Sequence, residues 1–311
     1  MHYYFAPMEG LTDCTYRNLH HNFYPGIDQY YTPFISPTIH RTLTSKEARE
    51  LPFADSLDYK LVPQLLTKNT EDFIWMAKQC ADRGYKEVNL NLGCPSGTVT
   101  AKGKGAGMLR DLDILNRFLD EIYSATPIAI SVKTRIGFSS ADEFPAILNI
   151  YNRYPIKELI VHPRVRCAFY SGNIDLNAFI YAHENSCAPL CYNGDIINII
   201  QVNNIPTANA VMIGRGLITN PGMLSEKSDD RETLQMFLDA LLEEYIKLFG
   251  NSRNALFRLK EHWYYLSKRF CNAEKYGKQL RKSTSISEYK TITQRIFAEC
   301  EFAQTDIYTT P

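Results

Sequence analysis

The stretch Glu87-Val-Asn-Leu-Asn-Leu-Gly-Cys-Pro95 predicts a short strand that stops at a cysteine and a proline. A glycine-rich loop, Gly103-Lys-Gly-Ala-Gly107, follows it. Proline cannot extend the interior of a strand, and glycine lets the backbone turn sharply or approach a ligand closely. The pattern therefore places Cys94 at the carboxyl end of a strand, where α/β proteins gather their chemistry. A small, buried, unreactive cysteine is the alternative interpretation of this segment alone.

Seven further short apolar segments flank this one, and most are separated by stretches of helical periodicity. They are residues 3–6, 29–33, 61–65, 128–132, 158–161, 189–192 and 210–213. Eight strands alternating with helices predict a (β/α)8 TIM barrel rather than an open sheet. Polar residues at the carboxyl ends of the strands, among them Gln64, Lys133 and His162, would then meet on one rim of the barrel.

From Arg231 onward the pattern changes to helices alone, over residues 233–249, 256–270 and 287–302. We therefore expect a barrel domain over residues 1–230 and a helical domain over residues 231–311. The net charge is zero, but residues 251–295 carry many more basic than acidic side chains. Such a surplus indicates a polyanionic partner, although an ordinary solvated helix surface explains the composition equally well.

The composition is that of a globular protein with a full core. Of the 311 residues, 45% are hydrophobic and 22% are charged. No apolar run approaches the roughly 18 residues of a membrane span, and the N-terminal residues lack the pattern of a signal peptide. The eight cysteines include no Cys-x-x-Cys pair and no zinc-type cluster. We expect a reduced, cytoplasmic protein without a metal site.

Two glycine motifs predict a phosphate-binding site. Asn193-Gly-Asp195 follows the seventh predicted strand, and Gly214-Arg-Gly216 follows the eighth. The loops after these two strands are the usual phosphate site of a barrel, where backbone N–H groups face the anion. Arg215 is available there for a bidentate pair. A phosphorylated cofactor or substrate is therefore expected.

The residues in the middle of the rim suit a flat heterocycle. Gln64 offers a hydrogen-bond donor and an acceptor, and Lys133 offers a positive charge for an electron-rich ring edge. Lys133 and Arg135 are two residues apart on one strand, so their side chains point the same way. Two like charges at one place are costly unless an anionic or electron-rich group lies between them. For His162 alone, a structural role is the alternative.

The chain resembles the tRNA-dihydrouridine synthases, flavoenzymes that reduce selected uridines of tRNA. The motifs lie in the same order through most of the sequence, and a helical C-terminal region also fits. They are Ala6-Pro-Met-Glu-Gly10, Pro63-Gln-Leu65, Asn91-Leu-Gly-Cys-Pro95, Val132-Lys-Thr-Arg-Ile-Gly137, His162-x-Arg164, Tyr170-x-Gly172, Asn193-Gly-Asp-Ile196 and Met212-Ile-Gly-Arg-Gly216.

The resemblance implies FMN on the barrel rim and NADPH as its reductant, with hydride passing to C6 of uracil. It implies that Cys94 is the general acid that protonates C5. The implied flavin-binding residues are Pro7, Met8, Gln64, Lys133, His162, Asn193, Gly194, Asp195, Gly214 and Arg215. The implied contacts to uracil are Asn91, Arg135 and Tyr170. The implied partner is tRNA, with no membrane and no metal, and we expect a monomer.

The chain departs from the family pattern after the sixth predicted strand. Pro163, Val165 and Ala168 replace residues of the usual His-Gly-Arg-Thr segment and a Gln before the Tyr. Two other functions share many of these features. One is an FMN barrel that acts on a free pyrimidine, similar to dihydroorotate dehydrogenase. The other is a non-catalytic RNA-binding barrel.

Overall fold

The protein is described from a computed structural model, which describes residues 1–38, 40–203, 205, 208–227 and 229–303. The chain divides into two compact units, each built from segments that are distant in sequence. The first unit comprises Met1–Pro7, Asp28–Gly194 and Ile205–Met212. The second comprises Met8–Ile27, Asp195–Asn204 and Ile213–Pro311.

The described residues form one sheet of nine strands, and the registered neighbours are parallel. The strands are β1 (His2–Phe5), β2 (Gln29–Tyr31), β3 (Leu61–Val62), β4 (Gln64–Leu65), β5 (Glu87–Leu92), β6 (Ala129–Arg135), β7 (Leu159–His162), β8 (Leu190–Tyr192) and β9 (Ala210–Ile213). Their order across the sheet is β3-β2-β1-β9-β8-β7-β6-β5-β4.

The sheet closes on itself at Pro63. Strand β3 pairs with β2, strand β4 pairs with β5, and only Pro63 separates β3 from β4. Proline has no N–H to donate, but the Pro63 carbonyl accepts a hydrogen bond of 2.8 Å from the Asn89 N–H. Residues 61–65 therefore act as one strand with neighbours on both sides. The predicted barrel of eight parallel strands is confirmed.

Helices follow most of the strands, and an all-helical segment follows β9. The helices are α1 (Cys14–Phe23), α2 (Ser45–Glu50), α3 (Thr70–Asp82), α4 (Gly97–Thr100), α5 (Leu112–Ala125), α6 (Phe144–Tyr151), α7 (Leu176–Asn185), α8 (Ile199–Asn203), α9 (Arg215–Thr219), α10 (Arg231–Phe249), α11 (Ser252–Leu266), α12 (Glu274–Lys282) and α13 (Ile286–Glu299). The structure contains the three predicted C-terminal helices as α10, α11 and α13, and adds α12.

The helical segment begins where the sequence pattern changes. The Asp230 side chain caps α10 by accepting from the N–H groups of its first turn, and Gly250 ends the helix at φ 64°. The second compact unit also contains α1. Within this unit the Tyr245 hydroxyl on α10 donates to Asp13, the residue that caps α1, at 3.1 Å. The division into domains 1–230 and 231–311 stays a prediction, with residues 304–311 outside the described part of the chain.

Alternate strand residues of the first unit form the core inside the barrel. One buried cluster comprises Tyr4, Ala6, Tyr31, Val62, Ile160, Cys191, Ala210 and Met212. On β4 to β8, residues of the same parity at or just after the carboxyl ends of the strands are polar. The alternation of a strand therefore places an apolar core and a polar rim on the same face of the sheet.

Candidate active site

The polar strand ends of the first unit lie side by side in register. In neighbouring parallel strands, registered residues point to the same face of the sheet. The registered pairs are Gln64 with Asn89, Asn91 with Lys133, and Arg135 with His162. The structure therefore brings most of the predicted strand-end residues of this unit onto one face.

Gln64 is fully buried, and both ends of its amide have partners. Its Nε2 donates to Asn89 Oδ1 at 2.9 Å, and its Oε1 accepts from Asn91 Nδ2 at 2.8 Å. One N–H and one lone pair of the amide are left over by these two bonds. Gln64 can therefore contact a ligand only through its remaining N–H and the remaining lone pair of its Oε1.

The turn that carries Cys94 is held from two sides. Asn91 Oδ1 accepts from the N–H of Gly93 at 3.1 Å and from that of Cys94 at 2.9 Å. From the next strand, Arg135 Nε donates to the Gly93 carbonyl at 3.0 Å. The backbone at Cys94 is thus fixed before any ligand binds, while the thiol stays partly exposed.

The glycine-rich loop packs directly against this turn. The Ala106 N–H donates to the Cys94 carbonyl at 3.1 Å. Gly105 has φ +56°, and a Cβ atom there would lie 2.9 Å from the Cys94 carbonyl oxygen. Both the backbone conformation and the close approach require glycine at position 105.

Lys133 brings a charge into the rim that the protein itself does not neutralise. Burial and, as the smaller cause, the nearby Arg135 guanidinium together lower the pKa of Lys133 to about 8. Within the described residues, its ammonium has no hydrogen bond or ion pair. A desolvated ammonium without a protein partner indicates a site for an electron-rich or anionic ligand.

Arg135 connects the Cys94 turn to the loop after β7. Besides Gly93, it donates to the Val165 carbonyl at 2.9 Å. Its guanidinium carbon lies 5.4 Å from the ring centre of Tyr170, a residue that is 52% exposed. Burial lowers the pKa of Arg135 to about 10. The predicted contacts of Arg135 and Tyr170 with uracil are not tested by these bonds.

The remaining predicted residues of the first unit make local contacts. His162 Nε2 lies 3.4 Å from Arg164 Nη1, and Asn193 Nδ2 donates to the Met212 carbonyl at 2.8 Å. At Gly194 a Cβ atom would lie 2.8 Å from Ile174 Cδ1 and 3.0 Å from the Tyr192 hydroxyl, so a side chain there would have to displace these two side chains. These contacts fix the rim and leave the predicted roles in cofactor binding as predictions.

The other residues that the sequence predicts for phosphate binding, Asp195, Gly214 and Arg215, belong to the second unit. Arg215 Nη2 pairs with Asp195 Oδ1 at 2.6 Å, so the arginine has a carboxylate partner. Gly214 immediately precedes the short helix α9. Burial lowers the pKa of Lys268, and Arg215 lowers it further. The phosphate contacts of Asp195, Gly214 and Arg215, and the packing of Pro7 and Met8 near a flavin, remain predictions from the sequence.

Several basic residues of the C-terminal helices have structural roles. Arg258 bonds to the Gly10 carbonyl and Glu261, and Lys260 bonds to the Ser283 carbonyl. Arg269 is buried and bonds to Asp229. Basic residues of the same region that are exposed and have no ion pair among the described residues are Arg253, Lys278, Arg281, Lys282 and Lys290. The composition alone did not separate these two groups.

Sequence reasoning missed two buried polar residues beneath the rim. Asn89 Nδ2 donates to Ser131 Oγ at 3.0 Å, and neither side chain is exposed. The alternation of side chains along β5 could have revealed Asn89, because Asn89 and Asn91 occupy inward positions of a strand whose other residues are mostly apolar.

A closed parallel barrel with polar side chains at the carboxyl ends of its strands has the architecture of a TIM-barrel enzyme. A family model described as "Dihydrouridine synthase (Dus)" matches residues 4–307. The chain therefore belongs to the dihydrouridine synthase family, as its motifs predicted. It is an oxidoreductase, because forming dihydrouridine from uridine is a reduction.

Individual relatives agree with the family model. A probable tRNA-dihydrouridine synthase of Rickettsia bellii (strain RML369-C) is 27% identical over 277 residues, covering 84% of each chain. Another, of Staphylococcus aureus (strain Mu50 / ATCC 700699), is 26% identical over 95% of this chain and 93% of that protein. Among solved structures, morphinone reductase in complex with tetrahydroNAD gives a TM-score of 0.47 at 10% identity, covering 72% of this chain and 85% of that one.

Neither a membrane span nor a metal cluster is found in the part of the chain that the structure describes. None of its helices is both long enough and apolar enough to cross a bilayer. No group of three or more His, Cys, Asp or Glu side chains there could hold a metal ion.

Proposed function

We propose that this protein reduces uridines of tRNA to 5,6-dihydrouridine, with FMN bound at the carboxyl ends of the barrel strands and NADPH as the reductant. Relatives named as tRNA-dihydrouridine synthases match most of the chain, which supports tRNA as the substrate. The observation that carries the proposal is the arrangement around Cys94, a partly exposed thiol on a fixed turn with an unpaired ammonium on the neighbouring strand.

The residues of the first unit suit a flavin. Lys133 offers a positive charge without a protein partner, and Gln64 retains one N–H for a ring edge. His162 and Asn193 lie at the carboxyl ends of neighbouring strands of this unit. Gly214 and Arg215 stay the residues that the sequence predicts for the phosphate. Bound FMN would supply the hydride that is added to C6 of uracil.

The chain itself would supply the proton and hold the uracil. Cys94 would give its thiol proton to C5 of the base, and solvent would then return a proton to the partly exposed sulfur. Asn91 Oδ1 already accepts two backbone N–H groups, so Asn91 can offer a substrate only its remaining N–H. Its natural partner is a carbonyl oxygen of uracil. Arg135 and the exposed ring of Tyr170 would hold the base, which must leave its stack to reach the site.

A comparison of substrates tests the proposal. The purified protein is supplied with FMN and NADPH and incubated with unmodified tRNA, with free uridine or with orotate. We expect dihydrouridine in tRNA and no turnover of the free pyrimidines. Turnover of free pyrimidines alone would contradict the proposal and favour the related FMN barrel.

A second arm of this experiment addresses a non-catalytic function. The protein is titrated with FMN, and flavin absorbance and fluorescence are followed. We expect saturable binding and bleaching of the bound flavin on addition of NADPH. Failure to bind FMN, combined with retained binding of tRNA, would favour an RNA-binding barrel instead.

A further inference from the structure

A continuous row of side-chain amides runs from the interior of the barrel to the Cys94 turn. Asn89 donates to Ser131, Gln64 donates to Asn89, Asn91 donates to Gln64, and the Cys94 N–H donates to Asn91. These bonds are 3.0, 2.9, 2.8 and 2.9 Å long. The row crosses three neighbouring strands of the first unit, β4, β5 and β6.

The direction of every bond in this row is set at the Cys94 end. A backbone N–H can only donate, so Asn91 must turn its Oδ1 toward the turn and its Nδ2 toward Gln64. Gln64 must then present Oε1 to Asn91 and Nε2 to Asn89. A reversal of any one amide would place two acceptors or two donors against each other.

Water cannot replace a lost hydrogen bond at the inner end of this row, because the side chains there are buried. Asn89 and Ser131 are 0% exposed and Gln64 is 1% exposed. A buried polar group that loses its partner costs more than the bond contributes, because it cannot be rehydrated. A break at Asn89 would therefore leave Gln64 Nε2 unpaired and free the Gln64 amide to reverse. Asn91 would then lose the orientation that holds the Cys94 N–H.

We infer that Asn89 is a positioning residue for Cys94, although the row connects the two only through Gln64 and Asn91. By fixing the orientation of both amides, it holds the Cys94 backbone and limits exposure of the thiol. Its importance for uridine reduction rests on the proposed function, but its effect on the thiol does not.

The test measures the thiol without any substrate. The full-length protein is treated with iodoacetamide over a range of pH, in the absence of tRNA, FMN and NADPH. Mass spectrometry follows alkylation of the peptide that contains Cys94, and the peptide with exposed Cys187 serves as the internal reference. We expect Asn89→Leu to raise the Cys94 rate about fivefold, the factor that corresponds to about 1 kcal/mol for one hydrogen bond. The Cys187 rate should not change.

Two variants separate positioning from a general loss of packing. Asn89→Asp keeps an acceptor for Gln64, and the Ser131 hydroxyl can rotate to donate to it, so this variant should restore the wild-type rate. Thr134→Val removes a different buried hydroxyl from β6, one that bonds to Tyr151 at 2.9 Å, and should leave the Cys94 rate unchanged.

The inference is overturned if Asn89→Leu leaves the Cys94 rate unchanged or lowers it, or if Thr134→Val raises it equally. If circular dichroism shows that Asn89→Leu does not fold, Gln64→Met breaks the same row one bond nearer to Cys94. That variant must give the same increase. A wild-type protein that fails to reduce uridine would contradict the proposed function and leave this result standing.

Discussion

The backbone at Cys94 takes its position from polar neighbours. Asn91 bonds to its N–H, and Arg135 bonds to the carbonyl of Gly93. The sequence predicted that these residues share a rim, because strand alternation decides which way they point. It did not predict that Asn91 and Arg135 bond to the turn, because that depends on how the backbone turns after the strand ends.

Lys133 provides the first prediction at the residue scale. Lys133→Met should weaken FMN binding about tenfold to hundredfold, because hydrogen bonds to charged groups contribute about 1.5–3 kcal/mol. The pKa of Lys133 is about 8, and the amine is charged below that pH. Affinity of the wild type should therefore fall as pH rises through about 8, while affinity of the variant should stay level. Fluorescence titrations between pH 7 and pH 9 measure both.

The control for this prediction is Lys102→Met, an exposed lysine of the same unit. It should bind FMN like the wild type. Lys133→Met should also unfold at the same or a higher temperature without flavin, because the substitution removes a desolvated charge. Equal FMN affinity of Lys133→Met and the wild type would remove Lys133 from the flavin site.

At the scale of elements, the C-terminal helices contain two kinds of basic residue. Arg258 and Arg269 bond to backbone carbonyls and to acidic side chains, and so stabilise the second unit. Lys278 and Lys282 are four residues apart on one side of α12, and both are exposed. Reversing the charge of Arg258 or Arg269 would damage the fold, so it would not test whether these helices bind RNA.

Charge reversal on α12 should therefore weaken tRNA binding without unfolding the protein. In the double variant Lys278→Glu and Lys282→Glu, affinity should fall, and the slope of log K against log salt concentration should decrease by about 0.9 for each phosphate that the protein no longer neutralises. Filter binding at several salt concentrations gives the slope. Lys78→Glu, on the surface of α3, is the matched control and should leave the slope unchanged. An unchanged slope in the double variant would exclude α12 from the tRNA surface.

For the molecule as a whole, the amino-terminal end of the barrel contains a half-buried acid that the proposed function does not use. The Tyr4 hydroxyl donates to Glu158 at 3.0 Å, and Lys157 pairs with Glu87 at 2.9 Å. Burial raises the pKa of Glu158 to about 7. The hydrogen bond from the Tyr4 hydroxyl acts in the opposite direction, but its effect on the pKa is smaller. This carboxyl is protonated in the folded protein at pH values where it is ionised in the unfolded chain.

The contribution of Glu158 to stability should therefore fall as pH rises. The folded pKa of Glu158 lies above the unfolded value of 4.5, so the unfolded chain holds fewer protons between the two values. The loss should begin near pH 4.5 and be complete above about pH 7. Glu158→Gln should flatten this dependence and raise the free energy of unfolding at pH 8 by about 1–3 kcal/mol. Urea unfolding at pH 5 and pH 8 measures this, with exposed Glu121→Gln as the control. A variant no more stable than the wild type at pH 8 would contradict it.

Much of the fold follows from the sequence because eight segments repeat the same apolar pattern between turns. Helix α12 was not predicted, because only two of its residues, Tyr276 and Leu280, are buried and the rest are polar apart from Gly277. The compact units could not be predicted either, since the second one joins Met8–Ile27 to residues far along the chain. Contacts such as Tyr245 with Asp13 leave no periodic trace in the sequence.

The most direct test of the central claim is reduction of an unmodified tRNA transcript by the protein with FMN and NADPH, in the wild type and in Cys94→Ala. Mass spectrometry of the digested RNA detects each uridine that gains two hydrogens. The wild type should convert specific uridines. The variant should still bind flavin and accept electrons from NADPH, but should lose about 100-fold or more in uridine reduction, the range for loss of a general acid. Equal rates in the two proteins would contradict Cys94 as the proton donor, and an unmodified transcript in both would contradict the proposed function.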